Sequence, residues 1–378
     1  MNKFLITLAT LVAFALSGVV HADAKVSGFL QQIVGAGDDV DGGITYKFNR
    51  FAFGADTTLD NGWTAGGSFA IEVGNLAAGG LSGYLPTSNS MYVATDAMTI
   101  TIGAAADAVT SAVPRIGNMV PGGGHDAGYQ FLFDGGNLGG NGVPFAEAYY
   151  AMANNRIDVD FASVNGFSVG VSYTPGMEFN AGSGIGRSAH ATATGSHGET
   201  IHAAVSYSGE MDGMSYTVGV GTINGNSQSQ LATDGTNTNN DLASFAGGLK
   251  VTMGNLAMGV HAYDNGDSFG ASGDAVKAKE SGYTVSATYA MGNITVGVGY
   301  AHQELVRGTR AQARATTLTS ADAGNVREDS VTMIGIGYNM GGGVNTYVQL
   351  SSNDHSDGDH ATTEVDPQVL FAGISLGF

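Results

Sequence analysis

The sequence predicts an all-β protein, a sixteen-stranded antiparallel β-barrel that crosses a membrane. From Lys25 onward apolar and polar residues alternate at a period of two, the pattern of strands with two unlike faces. No segment keeps a helical period. The connections alternate between short turns and long polar loops. All the short turns therefore fall at one end of the predicted strands and all the long loops at the other, an arrangement typical of outer-membrane barrels.

Several segments show the alternation clearly. One is residues 167–173, in which Phe, Val, Val and Tyr alternate with Ser, Gly and Ser; others are 201–207, 283–289 and 294–301. A soluble β-sandwich also alternates, so the period alone does not decide between the two classes.

The spacing of the turns favours the barrel. Short turns are predicted at 59–62, 96–97, 165–166, 209–213, 254, 292–293 and 340–342. Long loops are predicted at 35–43, 74–89, 104–155, 175–200, 223–241, 264–280, 303–327 and 353–365. Together they separate sixteen strands, an even number. In lipid every backbone group needs a partner, and closure into a barrel supplies one at both sheet edges.

The first 22 residues predict a secretory signal peptide. Lys3 precedes an apolar run over residues 4–16, and small residues follow, with cleavage expected after Ala22 or Ala24. The apolar run is too short to span a bilayer as a helix. We expect one barrel domain over residues 23–378, outside the cytoplasm.

Composition excludes several functional classes. The chain has no cysteine, which rules out disulfides, thiolate metal sites and a cysteine nucleophile. It has 33 acidic and 14 basic residues and a net charge of -19. Nucleic acids bind to basic surfaces, so we predict no nucleic-acid partner.

Residues 104–155 form the longest stretch that does not resemble a strand, and they contain glycine clusters and three prolines. A compact domain rarely carries so long a loop without a function. We expect this loop to fold into the barrel and constrict the passage; the alternative is an excursion over the surface. Its charged and titratable residues are Asp107, Arg115, His125, Asp126, Asp134 and Glu147.

Strand parity assigns further charged residues to the lumen. If Phe51 and Phe53 face lipid, the residue before Phe51 faces inward, and the same reasoning applies along the chain. The predicted pore-lining residues are Arg50, Arg156, Asp158, Asp160 and Lys250. A charge on the lipid face costs roughly 2 to 4 kcal/mol at mid-depth, which favours the lumen. The alternative for each is a position near the rim, where both faces are wet.

Catalytic and metal sites are not predicted. The nine histidines and many serines stand in no Gly-x-Ser-x-Gly context that marks a nucleophile. Residues 354–360 are rich in carboxylates and imidazoles but do not fit the calcium loop of an EF-hand. We predict no enzyme, no metal and no cofactor, with divalent cations at the acidic loops, bridging them to lipopolysaccharide, as the alternative.

Three segments resemble a known family. Residues 48–54, followed by 59–63, are similar to the early hairpin of the general Gram-negative porins, and so are 155–160 running into 165–173. The chain ends with apolar residues at every second position up to Phe378, as the terminal strand of that family does. One departure is Ala104 to Ala106, where the family usually has a basic residue.

The resemblance implies an outer-membrane homotrimer for passive diffusion of ions and small hydrophilic solutes. It implies contact with outer-membrane lipids and lipopolysaccharide, and recognition of Phe378 by the barrel assembly machinery. The acidic loop and the missing basic residue then predict cation preference. The alternatives are a substrate-specific channel, or an adhesin-type barrel whose loops bind a partner.

Overall fold

The computed structural model describes the strands and part of the long loop. Described residues are 23–37, 40–45, 48–74, 85–124, 154–175, 197–227, 240–268, 277, 279–306, 326–357 and 368–378. The predicted signal peptide, residues 1–22, lies outside them.

Nearly all described residues are in strands. The strands are β1 (Asp23–Gly37), β2 (Val40–Thr45), β3 (Phe48–Thr58), β4 (Thr64–Gly74), β5 (Leu85–Ala94), β6 (Met98–Ala105), β7 (Asn154–Phe161), β8 (Phe167–Thr174), β9 (His197–Met211), β10 (Met214–Ser227), β11 (Leu242–Met253), β12 (Leu256–Gly266), β13 (Lys279–Met291), β14 (Ile294–Val306), β15 (Val326–Gly341), β16 (Val344–Asp357) and β17 (Gln368–Gly377). One helical turn, α1 (Ala108–Ala112), follows β6. No helix among the described residues has the length and apolarity to cross a membrane.

The strands close into one antiparallel barrel. From β3 onward each strand pairs with the next, and β17 returns to β1 with Phe29 opposite Gly377 and Gly37 opposite Val369. The other edge of β1 pairs with β3 through residues 23–29 and with β2 through residues 33–37. Since β2 and β3 follow one another along that edge, they share one position. The predicted sixteen-stranded barrel is confirmed, with one additional strand segment.

The two faces of each strand differ as the alternation predicts. On β3, Phe51 and Phe53 are exposed on the outside, while Arg50 and Ala52 alternate with them and face inward. The ring of Phe53 stacks on that of Phe69 in β4, with centroids 5.0 Å apart. An apolar outer surface is what contact with lipid tails requires.

The best-buried apolar residues lie inside the barrel. One cluster joins Val109 and Val113, just after β6, to inward residues of β9 to β12 such as Ala204, Ile223 and Leu242. A second cluster joins Val120 to Ala301 and Met333 on β14 and β15. The chain after β6 therefore packs against the inner wall.

Candidate functional site

Residues 106–124, here called the strap, enter the barrel after β6 and include α1. Asp107 caps the helix: its carboxylate accepts the N–H groups of Val109 at 2.9 Å and Thr110 at 3.0 Å. Acidic side chains are favoured at this position because they satisfy amides that have no partner within the helix. Pro114 comes immediately after the C-cap Val113, and it cannot continue the helix because proline has no N–H to donate. The prediction of a chain without helical segments missed this turn, because five residues are too few for a detectable period.

The strap begins at a buried ion pair. Arg156 of β7 places Nη1 3.1 Å from Oδ2 of Asp107, and His202 of β9 places Nδ1 3.2 Å from Oδ1. Arg156 is 2% exposed, and Asp107 and His202 are fully buried. Burial alone would raise the pKa of the Asp107 carboxyl. The hydrogen bond from His202 and the charges of His202 and Arg156 outweigh burial, so this pKa lies well below its usual 3.8.

Ser172 and Thr200 extend this cluster, and we call Asp107, Arg156, His202 and these two residues the anchor. Ser172 of β8 accepts the backbone N–H of Ala108 at 2.7 Å and donates its hydroxyl proton to Asp158 of β7. Thr200 and His202 on β9 lie 3.3 Å apart, Oγ1 to Nε2. The first turn of the strap is thus held by side chains from three adjacent strands.

Beyond the anchor the strap follows a row of glycines across the wall. The glycines whose missing Cβ would meet strap residues are Gly170, Gly219, Gly221, Gly248, Gly259, Gly297, Gly299, Gly335 and Gly337. A Cβ on Gly248 would stand 2.7 Å from the carbonyl oxygen of Pro114, and one on Gly299 would stand 2.9 Å from Val120. Since carbon atoms in contact need about 3.5 to 4.0 Å, a Cβ at these positions would force the strap backbone or its side chains to shift.

The described end of the strap is fixed to β16. The N–H of Gly124 donates to Oε1 of Gln349 at 3.1 Å, and Nε2 of Gln349 lies 3.4 Å from the carbonyl oxygen of Gly124. Nε2 also donates to Ser351 at 2.9 Å. The strap is therefore held at both ends, and it covers the inner wall from β8 to β16.

The structure places the five predicted pore-lining residues in two groups. Arg156 and Asp158 face inward but are 2% and 3% exposed, because the strap covers them. Arg156 pairs with Asp107 of the strap, and Asp158 accepts the hydroxyl proton of Ser172, which in turn holds the backbone of Ala108. Arg50 and Asp160 face inward and are partly buried, and Lys250 faces inward and is exposed.

The predicted charged residues of the constricting loop also fall into groups, which are buried, exposed or outside the described residues. Asp107 is sequestered in the ion pair, so it does not present a charge to solutes as the sequence led us to expect. Arg115 is exposed. His125, Asp126, Asp134 and Glu147 lie outside the described residues. No group of three or more histidine and acidic side chains arranged for a metal occurs in the described part of the chain.

Sequence reasoning missed Ser172, Gln349 and the glycine row as parts of the site. A usable signal was present for the glycines, since they recur at inward parity, for example at Gly219 and Gly221 of β10 and at Gly297 and Gly299 of β14. Ser172 and Gln349 carry no local signal, because their partners lie 64 and 225 residues away.

Comparisons with known proteins agree on one architecture. A model of the Gram-negative porin family matches residues 7–358. Among solved structures, Salmonella typhi OmpF in complex with daunomycin is similar with TM-score 0.64 and 14% identity, covering 94% of this chain and 98% of that one.

Two further solved structures cover the barrel to the same extent. The anion-selective porin from Comamonas acidovorans gives TM-score 0.61 and 14% identity, covering 95% and 100% of the two chains. The trimer form of Vibrio cholerae OmpT gives 0.58 and 11%, covering 94% and 99%. No curated protein matches the chain.

Proposed function

Since this chain belongs to the Gram-negative porin family, we propose that it forms a water-filled channel through which ions and small hydrophilic solutes diffuse passively. Family and fold make it an integral outer-membrane protein. The observation that carries the proposal is the strap. This segment is packed on the inner wall of a closed barrel, so it narrows the lumen, while the outer face stays apolar and suited to lipid. Narrowing by an inner segment suits size-limited diffusion.

The same residues argue against an enzyme. Asp107, His202 and Ser172 are residue types of a catalytic triad, and all three belong to the anchor. All three are fully buried, and the Ser172 hydroxyl donates to Asp158 instead of to the histidine. A nucleophile needs the base within hydrogen-bond reach and an opening to substrate. The geometry therefore supports a structural role.

We extend the proposal to cation preference. Once Asp107 is set aside, the loop sequence still has Asp126, Asp134 and Glu147 against Arg115. Carboxylates around a narrow passage raise the local concentration of cations. The net charge of -19 acts in the same direction.

Several features of the assembled protein are part of the proposal. The trimer form of the similar Vibrio cholerae protein supports a homotrimer here. The apolar outer face supports contact with outer-membrane lipids and lipopolysaccharide. A signal peptide cleaved after Ala22 or Ala24 would leave all or most of β1, which begins at Asp23.

A planar-bilayer recording tests this function. The native protein is expected to give discrete conductance steps and a cation-selective zero-current potential in a tenfold KCl gradient at low salt. Asp126→Asn combined with Asp134→Asn is expected to reduce the selectivity, whereas Asp212→Asn, in an exposed short turn, serves as control. An absence of conductance steps would contradict the channel and favour an adhesin-type barrel. Anion preference, or an unchanged potential in the double variant, would contradict the role of these carboxylates.

A further inference from the structure

Three methionines lie side by side on the outer face of the barrel, at the rim that carries the short turns. Met211 is the last residue of β9, Met214 is the first of β10, and Met253 is the last of β11. Met214 is the direct cross-strand partner of both Met211 and Met253. In the described strands no other two methionines are direct partners. The sheet thus brings three thioether sulfurs into one row.

The turn between β9 and β10 fixes the first pair of this row. Asp212 and Gly213 form a two-residue loop with positive φ at both positions, 51° and 78°, as in the type I′ turns that suit β-hairpins. Met211 and Met214 flank this loop and therefore lie opposite each other. Neighbouring strands are about 4.8 Å apart, so the row of three residues spans about 10 Å. A methionine side chain has three rotatable bonds, which allows the three sulfurs to converge above Met214.

The row is accessible from the aqueous side of the rim. Met211 and Met253 are 57% and 43% exposed, and Met214 is partly exposed on the same face of β10 as Val218. All three stand at strand ends, beside exposed turn residues such as Asp212. Short turns of outer-membrane barrels face the periplasm. An ion dissolved there reaches the row without crossing the hydrocarbon layer.

The chemistry of the row suits a soft cation. Thioether sulfur is a soft ligand that selects Cu(I), whereas Mg²⁺ and Ca²⁺ prefer oxygen. The exposed carboxylate of Asp212 adds a negative charge between two of the methionines. Lys250 is the one lysine or arginine in β9 to β11, and it faces the lumen, on the other side of the sheet. A monovalent cation at the row therefore meets three neutral sulfurs and a nearby negative charge.

We propose that Met211, Met214 and Met253 form a thioether site for Cu(I) on the periplasmic rim of the outer face. The site goes beyond the channel function and does not depend on the passage of solutes through the lumen. Leucine would serve contact with lipid as well as methionine does, and it has nearly the same volume. Replacement by leucine therefore separates binding of a soft cation from apolar contact.

The test measures the affinity of the folded protein in detergent micelles for Ag(I), in chloride-free buffer. Ag(I) shares the charge and soft character of Cu(I) and needs no reductant. Loss of residues that only orient a metal ligand already costs about 10- to 100-fold in affinity, so we expect Met214→Leu, which removes the central ligand, to weaken binding at least about tenfold.

Met291→Leu is the matched control for this measurement. Met291 is 49% exposed at the end of β13, on the same rim, but its direct partner is Ile294. We expect this variant to bind Ag(I) as the native protein does. Native affinity in Met214→Leu, equal losses in the two variants, or a native protein that does not bind Ag(I) would overturn the site.

NMR of isotope-labelled methionine methyl groups gives a second readout on the native protein. One equivalent of Ag(I) is expected to shift three methyl signals together, those of Met211, Met214 and Met253, and to leave Met291 and the buried Met333 unchanged. A spectrum in which no methyl signal shifts, or in which Met291 shifts equally, would overturn the proposal. The number of shifted signals is counted without any variant, so a variant that fails to fold does not remove the test. Conductance steps of the same preparation test the channel function separately.

Discussion

Asp107 has two structural roles in the strap. Its carboxylate caps the N-terminus of α1, and the same carboxylate binds Arg156 and His202 on the barrel wall. A buried ion pair is costly to desolvate, and its value to stability depends on keeping all of its partners. Removing one partner leaves a buried charge without compensation. Arg156 and Asp107 therefore fix the position of the strap more than they add to overall stability.

We expect Arg156→Gln to lower the free energy of unfolding in detergent micelles by about 3 to 5 kcal/mol, because Asp107 would stay buried after losing one of its two cationic partners, the guanidinium that is always charged. Lys25→Gln provides a matched control, since the Lys25 side chain is 68% exposed beside Asp56. Exposed pairs contribute only about 0 to 1 kcal/mol. Equal effects of the two substitutions would contradict the structural role of the buried pair.

The pH dependence of the anchor follows from the lowered pKa of Asp107. A carboxyl whose folded-state pKa is depressed stabilises the fold above its unfolded value, near 3.8, and loses this contribution as pH falls through the lower folded value. Single-channel conductance should therefore show no change due to Asp107 between pH 7 and about pH 5. A conductance change in that range, present in the native channel and absent in Asp107→Asn, would show that Asp107 titrates there.

At the scale of elements, the wall strands and the strap are fitted to each other. Inward positions on β8, β10, β11, β12, β14 and β15 lack side chains where the strap crosses them. Glycine weakens a strand because it loses more chain entropy on folding and has no side chain to pack. Its repeated use along the path of the strap therefore needs a compensating contact. The contact is the strap, which packs its apolar residues where the wall is flat.

We expect Gly248→Ala to change single-channel conductance, because its Cβ would stand 2.7 Å from the Pro114 carbonyl oxygen and displace the strap. The neighbouring Gly247 faces outward, and a Cβ there would have 3.6 Å to its nearest neighbour, on Val220. Gly247→Ala is therefore the control and should conduct as the native channel does. If Gly248→Ala also has native conductance and open-channel noise, the strap is not held by close packing on the wall.

At the scale of the whole molecule, most of the barrel could be predicted from the sequence, but only part of the candidate site could. Alternation and turn spacing predict strand number and faces, because both are local and repeat sixteen times. The extra segment β2 was not predictable, since it depends on how β1 divides its edge between two partners. Strand alternation predicts which face of the sheet Arg156 occupies, and the structure places it on the inner face. Alternation does not predict whether another segment covers that side chain. Only the path of the strap shows that Arg156 and Asp158 are covered.

The last residue lies at the seam that closes the barrel, and this gives the final prediction. Phe378 exchanges two backbone hydrogen bonds with Gly28, of 2.8 and 3.1 Å, at the seam where the end of β17 meets β1. Its ring lies over Gly28 and meets Phe51 edge-on, with centroids 6.0 Å apart.

Deleting Phe378 removes the seam contact together with the terminal aromatic residue that resembles the assembly signal of the family. We expect a several-fold drop in folded, heat-modifiable protein in the outer membrane, while Phe167→Leu, another exposed aromatic on the outer face, should have little effect. Refolding the same variant into detergent separates the two causes: normal refolding assigns the defect to the assembly machinery, and slow refolding assigns it to the seam. Native levels of the deletion variant in cells would contradict both roles.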